Sequence, residues 1–401
     1  MKGMEVKMKR VSIIICLFIL VVSSLMVTFC PQLSESAEPV KIGAILDITG
    51  PVAFMGQMQK NGIELRLEEA GWKVAGRSVK LISEDGAADL NLTNSLARKL
   101  VEKDNVNIMI GPLNHDFMIA LEPYLAENKV PEIYISQAAP EIEAKNEWFF
   151  APPGVVAQCG YYTGQYAYEL GYKTATVLGA DFITGYQWVG AFTQGFEGKG
   201  GKVIAHAGWA PIGTVDYGPY LASIKQADVC AAWTVPSKFL VKQYREFGLW
   251  KKMPLMLIYT NEVPEADLVE LGNAGIGIVG ASLYTPRIDT PANHKFLAAF
   301  QKKYGHDPCE WDLIGYDAAS VAVAALEATG GDTTPEKLRK AIHNVKIDLP
   351  TGPFSFSPSR YGIRSINMLK AEMMKGKPGW QIIRKYSAEP EALPIPPSSK
   401  K

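Results

Sequence analysis

Short apolar segments alternate with amphipathic segments along most of this chain, and this alternation constrains the fold more than any other feature of the sequence. The apolar segments of the first half are rich in Val, Ile and Leu, and they cover residues 40–46, 78–83, 106–110 and 132–135. The segments between them have helical periodicity, and they cover residues 56–69, 91–102 and 116–127. Regular alternation of strands and helices is typical of a parallel sheet covered on both faces. The sequence therefore predicts an α/β fold.

The alternation pauses once, at residues 148–154, where two prolines and a glycine follow an aromatic segment. Clusters of Pro and Gly indicate a connection rather than a continuing strand or helix. Further strands are then predicted at residues 174–178, 202–206, 229–233, 255–260, 276–284, 352–356, 366–372 and 380–386. Further helices are predicted at residues 155–170, 186–198, 220–226, 236–247, 292–304, 312–329 and 335–343. The pattern indicates two α/β lobes of similar size.

Charge and length limit the class of function. The 401 residues are enough for two domains with substantial cores. Lys plus Arg and Asp plus Glu both number 41, so the formal net charge is zero. A neutral chain without basic clusters interleaved by aromatic residues has no electrostatic field for nucleic acid. We therefore predict no nucleic-acid partner.

The N-terminus has the plan of a secretory signal. Basic residues up to Lys9 and Arg10 precede an uncharged apolar run at residues 11–29, and a polar segment follows. Cleavage near Ala37 would release residues 1–37 as a signal peptide, so an exported protein with a periplasmic or other extracytoplasmic location is predicted. Two alternatives stay open: the apolar run is long enough for an uncleaved membrane anchor, and Cys30 offers a site for a lipid anchor.

Cysteine spacing argues against a disulfide framework. Outside the signal region only Cys159, Cys230 and Cys309 remain, and no C-x-x-C pair occurs among them. Three widely spaced thiols allow at most one disulfide, and buried free thiols fit this spacing better. The sequence leaves open whether any two of the three pair.

Motifs of catalysis do not occur in the chain. There is no H-E-x-x-H, no G-x-S-x-G and no P-loop. The glycines Gly275, Gly277 and Gly280 match G-x-G-x-x-G, but a dinucleotide site needs a helix after them, and here the apolar run continues to Tyr284 and Pro286. We predict no catalytic residue, no metal site and no cofactor. An exported chain of two α/β lobes without such motifs points to a binding function.

Residues 40–69, VKIGAILDITGPVAFMGQMQKNGIELRLEE, resemble the opening of periplasmic binding proteins of the branched-chain amino-acid (leucine/isoleucine/valine-binding) type, which serve ABC transporters. The likeness covers nearly all of residues 39–386 in the family's order. No single motif carries it; the ordered set does, including VNIMIGPL, PEIYISQAAP and TGPFSF at residues 106–113, 131–140 and 351–356.

The resemblance implies a type I periplasmic-binding-protein fold, with two Rossmann-like lobes that have parallel-sheet cores and three crossings near residues 151–154, 284–287 and 345–349. It places residues 38–151 and 286–346 in the first lobe and residues 152–285 and 347–387 in the second. Residues 388–401 are predicted to be a disordered tail. The implied function is the substrate-binding component of an ABC importer, a monomer that captures a small solute and delivers it to a membrane permease. The alternative is a ligand-sensing extracytoplasmic receptor domain anchored by an uncleaved N-terminal helix.

The resemblance also implies a set of ligand-binding positions in the cleft between the lobes. In the first lobe the matching residues are Phe54, Asn114, His115, Gln137, Ala138, Ala139 and Trp311. In the second lobe they are Tyr186, Trp233 and Glu262, of which Glu262 lies where the family's carboxylate meets an ammonium group. Three other tryptophans are assigned to packing: Trp148, Trp188 and Trp209.

Two of these positions depart from the family's pattern. His115 and Pro140 replace hydroxyl residues that hold an amino acid's carboxylate, and proline has no N–H to donate. Phe54 and Trp233 from opposite lobes are expected to sandwich a flat or apolar ligand. Among amino acids, aromatic acids, amides and related solutes, the sequence therefore favours an aromatic or amide-like solute over leucine.

Overall fold

The computed structural model describes residues 38–138, 146–388 and 393–397 of the 401-residue chain. The predicted signal peptide, Ala139 and Pro140 lie outside these ranges. Inside them, no helix combines the length and the apolar character needed to cross a bilayer. The three cysteines in these ranges, Cys159, Cys230 and Cys309, are free thiols.

The first sheet has six strands in the order β2-β3-β1-β4-β5-β6. Its strands are β1 (Val40–Leu46), β2 (Lys73–Val74), β3 (Arg77–Asp85), β4 (Ile108–Ile110), β5 (Glu132–Ile133) and β6 (Phe149–Phe150). All neighbouring strands are parallel except β2, which pairs antiparallel with β3 at one edge. The central strand β1 is buried along almost its whole length, as its unbroken run of Val, Ile, Ala and Leu predicts.

The second sheet has seven strands in the order β15-β14-β11-β10-β9-β7-β8. Its strands are β7 (Thr174–Ala180), β8 (Lys202–Ala210), β9 (Val229–Trp233), β10 (Leu255–Tyr259), β11 (Val279–Ser282), β14 (Arg364–Met374) and β15 (Lys377–Ala388). The first five in chain order are parallel, and the hairpin of β14 and β15 adds an antiparallel edge. A separate two-stranded sheet joins β12 (Lys346–Leu349) to β13 (Gly352–Ser355).

Helices connect the parallel strands, as crossover geometry requires. The helices that connect strands of the first sheet are α1 (Ala53–Glu69), α2 (Leu90–Arg98, extended by a π-helical turn at Lys99–Lys103) and α3 (His115–Glu127). The helices that accompany the second sheet are α4 (Val156–Glu169), α5 (Ile183–Gly198), α6 (Gly218–Ala222), α7 (Ser237–Glu246) and α8 (Glu265–Leu271). After β11 come α9 (Pro291–Tyr304), α10 (Glu310–Ala328) and α11 (Pro335–His343). The α/β class with parallel sheets is confirmed.

The predicted elements differ from the observed ones mainly at their ends. Helix α1 begins three residues earlier than predicted, at Ala53, because the turn after Pro51 is shorter than its Gly and Pro content suggests. Helix α8 was not predicted, since seven residues are too few to show helical periodicity. Strand β12 occupies Lys346–Leu349, where the resemblance implied a crossing. The predicted lobe boundaries stay a prediction.

Two glycines bring α1 and α10 into backbone contact. A Cβ atom at Gly62 would lie 1.9 Å from the carbonyl oxygen of Asp312, and one at Gly315 would lie 2.0 Å from that of Gln59. No side chain fits in such a space, so glycine is required at both positions. The close crossing fixes the first turn of α10, which carries Trp311, against the helix that follows β1.

A buried ion pair ties α10 to the second sheet. Arg364 of β14 donates a hydrogen bond to the carboxylate of Asp317, and the two side chains are 2% and 0% exposed. Burial raises the pKa of Asp317 to about 6, while the neighbouring Arg364 lowers it. Helix α10 is therefore held on one side by α1 and on another by β14.

Candidate ligand-binding cavity

A cavity of about 80 Å³ lies where the carboxyl ends of strands from both sheets approach each other. Asp47 follows β1, Asn114 follows β4 and Gln137 follows β5, whereas Trp233 and Tyr259 end β9 and β10. In open α/β sheets this edge is where ligands bind, because loops there are free of the strands' packing. Besides these five, the lining consists of Val52, Met55, Leu113, His115, Ser136, Phe182, Thr184, Trp188, Ile212, Val235, Asn261, Glu262, Trp311 and Ile314.

Aromatic rings form the wall that the second sheet contributes. Trp188 stacks on Tyr259 with ring centroids 4.5 Å apart and also contacts Trp233 at 5.8 Å. Phe182 contacts Trp233 from another side at 5.6 Å. Rings that pack on one another in this way are held rigid, so they offer a flat surface to a ligand without further loss of entropy.

Several buried polar atoms in the wall lack a hydrogen-bond partner within the described part of the chain. The donors among them are the indole nitrogens of Trp233 and Trp311, and the acceptors belong to Asp47, Gln137, Asn261 and Glu262. A buried polar group without a partner costs about 1–3 kcal/mol. Six such groups around one cavity offer hydrogen-bond partners to a polar molecule.

The end of the cavity beside the first sheet is formed by the N-terminus of α3. The side-chain oxygen of Asn114 accepts a hydrogen bond from the Asp116 amide at 2.9 Å and caps the helix. His115, the first residue of α3, is 3% exposed, and burial lowers its pKa to about 4, so the ring is neutral at pH 7. The positive end of the helix dipole favours an anionic group here.

The end beside the second sheet carries acceptors instead. Glu262 is 1% exposed, and burial, reinforced by the nearby charge of Asp267, raises its pKa to about 8. Asn261 beside it has an unpaired side-chain oxygen among the residues described. No lysine or arginine occurs among the described lining residues. Because a carboxyl group with this pKa is protonated at pH 7, this end can both accept and donate a hydrogen bond, as a hydroxyl or amine group requires.

The raised pKa of Glu262 makes a prediction about stability. Between its ordinary value of 4.5 and about 8, folded Glu262 holds a proton that the unfolded chain has released, so folding stability falls as pH rises through this window. Glu262→Gln removes this loss, because the amide cannot ionise. We expect the stability of the variant relative to wild type to rise by on the order of 3–4 kcal/mol between pH 5 and pH 9.

Chemical unfolding of both proteins at the two pH values measures this difference. Asp267, which is itself paired with Lys238, is the charged neighbour that acts on Glu262, and Asp267→Asn should reproduce only a small part of the effect. A difference between Glu262→Gln and wild type that does not change with pH would show that Glu262 titrates normally.

The structure brings six of the predicted site residues together. They line the cavity from both sheets: Asn114, His115, Gln137, Trp233, Glu262 and Trp311. Their contact with a ligand stays a prediction. Ala139 lies outside the described residues.

The other three predicted residues lie elsewhere. Phe54 packs half-buried against the main core and is not among the residues that line the cavity, whereas Val52 and Met55 are. Ala138 is fully buried in a second core cluster. Tyr186 lies edge-on against Trp209, with ring centroids 4.7 Å apart, and shares a hydrogen bond with Asp181. Trp233 and Trp311 line the cavity together, and the sandwich of a ligand between Phe54 and Trp233 stays a prediction.

Sequence reasoning missed part of the wall. Trp188 was assigned to packing, but it lines the cavity because it lies in the second turn of α5, on the face toward Trp233. Asp47 could have been found, since a carboxylate directly after a buried first strand lies at the ligand-binding edge. Within the described ranges, no group of three His, Cys, Asp or Glu residues is arranged to hold a metal ion.

Comparisons with known proteins cover most of the chain. The sequence model of a family described as periplasmic binding protein matches residues 39–377. The Leu/Ile/Val-binding protein homolog 6 of Brucella abortus is 28% identical over 353 residues, which cover 86% of this chain and 90% of the relative.

Two solved structures are similar over their whole length. An ABC transporter substrate-binding protein from Sphaerobacter thermophilus superposes with a TM-score of 0.82 at 30% identity, covering 87% of this chain and 98% of that one. A solute-binding protein of an ABC transporter from Rhodopseudomonas palustris, in complex with 4-hydroxybenzoate, has a TM-score of 0.82 at 30% identity and covers 87% and 97%.

Proposed function

Because this chain belongs to the periplasmic binding protein family, we propose that it is the extracytoplasmic substrate-binding component of an ABC importer and that its solute is a small aromatic acid. The predicted type I periplasmic-binding-protein fold is confirmed by the similarity to solved substrate-binding proteins. The observation that carries the choice of solute is the cavity itself, which has packed aromatic walls and both donors and acceptors without a partner among the described residues.

The polar ends orient an aromatic acid. The N-terminus of α3 and the free indole N–H groups of Trp233 and Trp311 are donors, so they suit the carboxylate of the solute. Asn261 and Glu262 at the other end offer acceptor oxygens to a ring hydroxyl or amine. A hydroxybenzoate or aminobenzoate carries both groups on one flat ring.

An aliphatic amino acid fits this arrangement less well. Its ammonium group sits one carbon from its carboxylate, so the two charges cannot reach opposite ends of the cavity. The walls would then contact only a branched side chain, and the stacking surface of Trp233 would be unused. The similar protein from R. palustris is bound to 4-hydroxybenzoate, which agrees with an aromatic solute for this chain.

The remaining features follow from the family. The family and the fold are those of solute-binding proteins, and we propose that the chain has no catalytic activity of its own. Its partners are the solute and the membrane permease that accepts it, and it acts as a monomer outside the cytoplasm. Ligand binding favours the arrangement in which both ends of the cavity contact the solute at once.

Thermal unfolding with a panel of solutes tests the proposal. A ligand that binds only the folded chain stabilises it by RT ln(1 + [L]/Kd), so the shift in Tm ranks affinity. We expect 4-hydroxybenzoate and 4-aminobenzoate to raise Tm more than benzoate, which lacks the second polar group. Leucine, isoleucine and valine should give little shift. A panel in which only these three aliphatic amino acids raise Tm would contradict the aromatic assignment.

A further inference from the structure

The segment Leu393–Pro397 near the C-terminus packs on elements that belong to both sheets. Leu393 packs against the core cluster that contains Met118 of α3, with Tyr134 and Phe149 of the first sheet region. Four residues later, Pro397 lies against Gly190 of α5, the helix that joins β7 to β8 in the second sheet. The segment therefore reaches from a core cluster that includes Met118 of α3 to the helix that carries Trp188.

The contact with α5 is specific. The side-chain amide of Gln194 donates a hydrogen bond to the carbonyl oxygen of Ile395 at 2.8 Å. A Cβ atom at Gly190 would lie 2.4 Å from Cδ of Pro397, so only glycine leaves room for the proline ring. Pro396, which lies between Ile395 and Pro397, is buried. A segment that merely lay on the surface would need neither this hydrogen bond nor this gap in the helix.

The sequence of the segment suits a tie between two elements. Leu393–Pro397 reads LPIPP, and three prolines fix φ in three of its five residues. Such a segment loses less backbone entropy on docking than a flexible one, so few contacts are enough to hold it. Its two anchors, Leu393 and Pro397, lie at opposite ends.

The two helices that it connects both form the cavity. Helix α3 supplies His115 at its first position, and α5 supplies Thr184 and Trp188 in its first two turns. The helices also contact each other directly. A movement that separates the cluster around Met118 from α5 stretches the segment between Leu393 and Pro397.

We propose that Leu393–Pro397 is a strap that holds α3 and α5 together and so favours the arrangement in which the cavity is closed. The strap acts on the equilibrium between open and closed arrangements, whichever solute binds. It contributes contacts that exist only when both helices are in place, so the closed arrangement gains stability and the solute leaves more slowly.

Hydrogen exchange of the protein without added solute tests the strap. Two variants release it: a chain that ends at Ala388, and Gly190→Leu, whose side chain occupies the space of Pro397. The matched control is Gly198→Leu on the same helix, where an added Cβ meets no atom within 4 Å. In both variants we expect the backbone amides of residues 115–121 in α3 to exchange about fivefold faster, with no change in the control.

The position of the readout separates a strap from local packing. A merely local disturbance by Gly190→Leu would speed exchange only in α5, and wild-type exchange at residues 115–121 in either variant would overturn the proposal. Should the shortened chain unfold as a whole, with fast exchange in β1 as well, the full-length Gly190→Leu variant decides alone. Since no solute is used, failure of this test leaves the proposed function standing, and failure of the solute panel leaves the strap standing.

Discussion

Replacement of Trp233 by alanine should weaken the binding of 4-hydroxybenzoate roughly 10- to 100-fold, about 1.4–2.7 kcal/mol. Trp233 is 4% exposed, lies between Trp188 and Phe182, and faces the cavity with an indole N–H that has no partner among the described residues. The variant loses both the stacking surface and a hydrogen-bond donor. Isothermal titration of wild type and variant measures the change in Kd.

Two further variants separate these contributions from a general loss of stability. Trp233→Phe keeps an aromatic ring but removes the donor, so its affinity should lie between those of the wild type and Trp233→Ala. Trp148→Ala removes a tryptophan that is 6% exposed and lies outside the cavity lining. It should lower Tm without changing Kd. Equal affinities of Trp233→Ala and wild type would show that Trp233 packs in the core and does not contribute to ligand binding.

Replacement of Arg364 by methionine should destabilise the folded chain by about 3–5 kcal/mol. The change leaves the carboxylate of Asp317 buried without its partner, and this side chain is 0% exposed. Burial already raises the pKa of Asp317 to about 6, and loss of Arg364 removes the interaction that lowers it. The destabilisation should therefore be larger at pH 8 than at pH 5, where Asp317 takes up a proton. Denaturant unfolding at both pH values measures it.

The double variant and a surface pair provide the controls. Arg364→Met combined with Asp317→Asn removes the buried charge itself, so it should recover at least about 1 kcal/mol of the loss. Arg384 pairs with Glu169 at the surface, where its side chain is 49% exposed. Arg384→Met should change stability by less than about 1 kcal/mol. If Arg364→Met and Arg384→Met have equal effects, the pair with Asp317 contributes nothing special to the fold.

The alternation of strands and helices could be predicted from the sequence because buried parallel strands need uninterrupted apolar segments. Strand β9, Val229–Trp233, and helix α11, Pro335–His343, occur with the predicted bounds. The hairpin of β14 and β15 was predicted only as two strands, since pairing direction depends on the partner strand β11, which is distant in sequence. Helix α8 could not be predicted because its seven residues are too few to show helical periodicity.

The candidate site was predictable where a residue ends a strand or lies a few residues beyond its carboxyl end. Trp233, Asn114 and Gln137 lie in the cavity for that reason. It was not predictable where the rotation of a helix decides which of its side chains face the cavity. Phe54 and Met55 are neighbours in the first turn of α1, and Met55 is the one that lines the cavity. The sequence does not show that Trp188 lines the cavity. Its contact with Tyr259 and its place in the cavity wall both depend on the tertiary arrangement of α5 and β10.

The strap could not have been predicted from composition. The proline-rich end of the chain has the character of a disordered tail, and nothing local in LPIPP indicates where it docks. Its counterpart is a missing side chain at Gly190, more than 200 residues earlier. Only the three-dimensional structure brings the proline and the glycine together.

Isothermal titration of the chain lacking residues 1–37 with 4-hydroxybenzoate and, separately, with leucine tests the assignment of the cavity most directly. Packed aromatic walls, the donors of the α3 N-terminus, Trp233 and Trp311, and the acceptors of Asn261 and Glu262 predict one molecule of 4-hydroxybenzoate bound per chain with Kd of about 10 μM or tighter. They predict no measurable heat with leucine. Saturable binding of leucine together with no binding of 4-hydroxybenzoate would contradict the account.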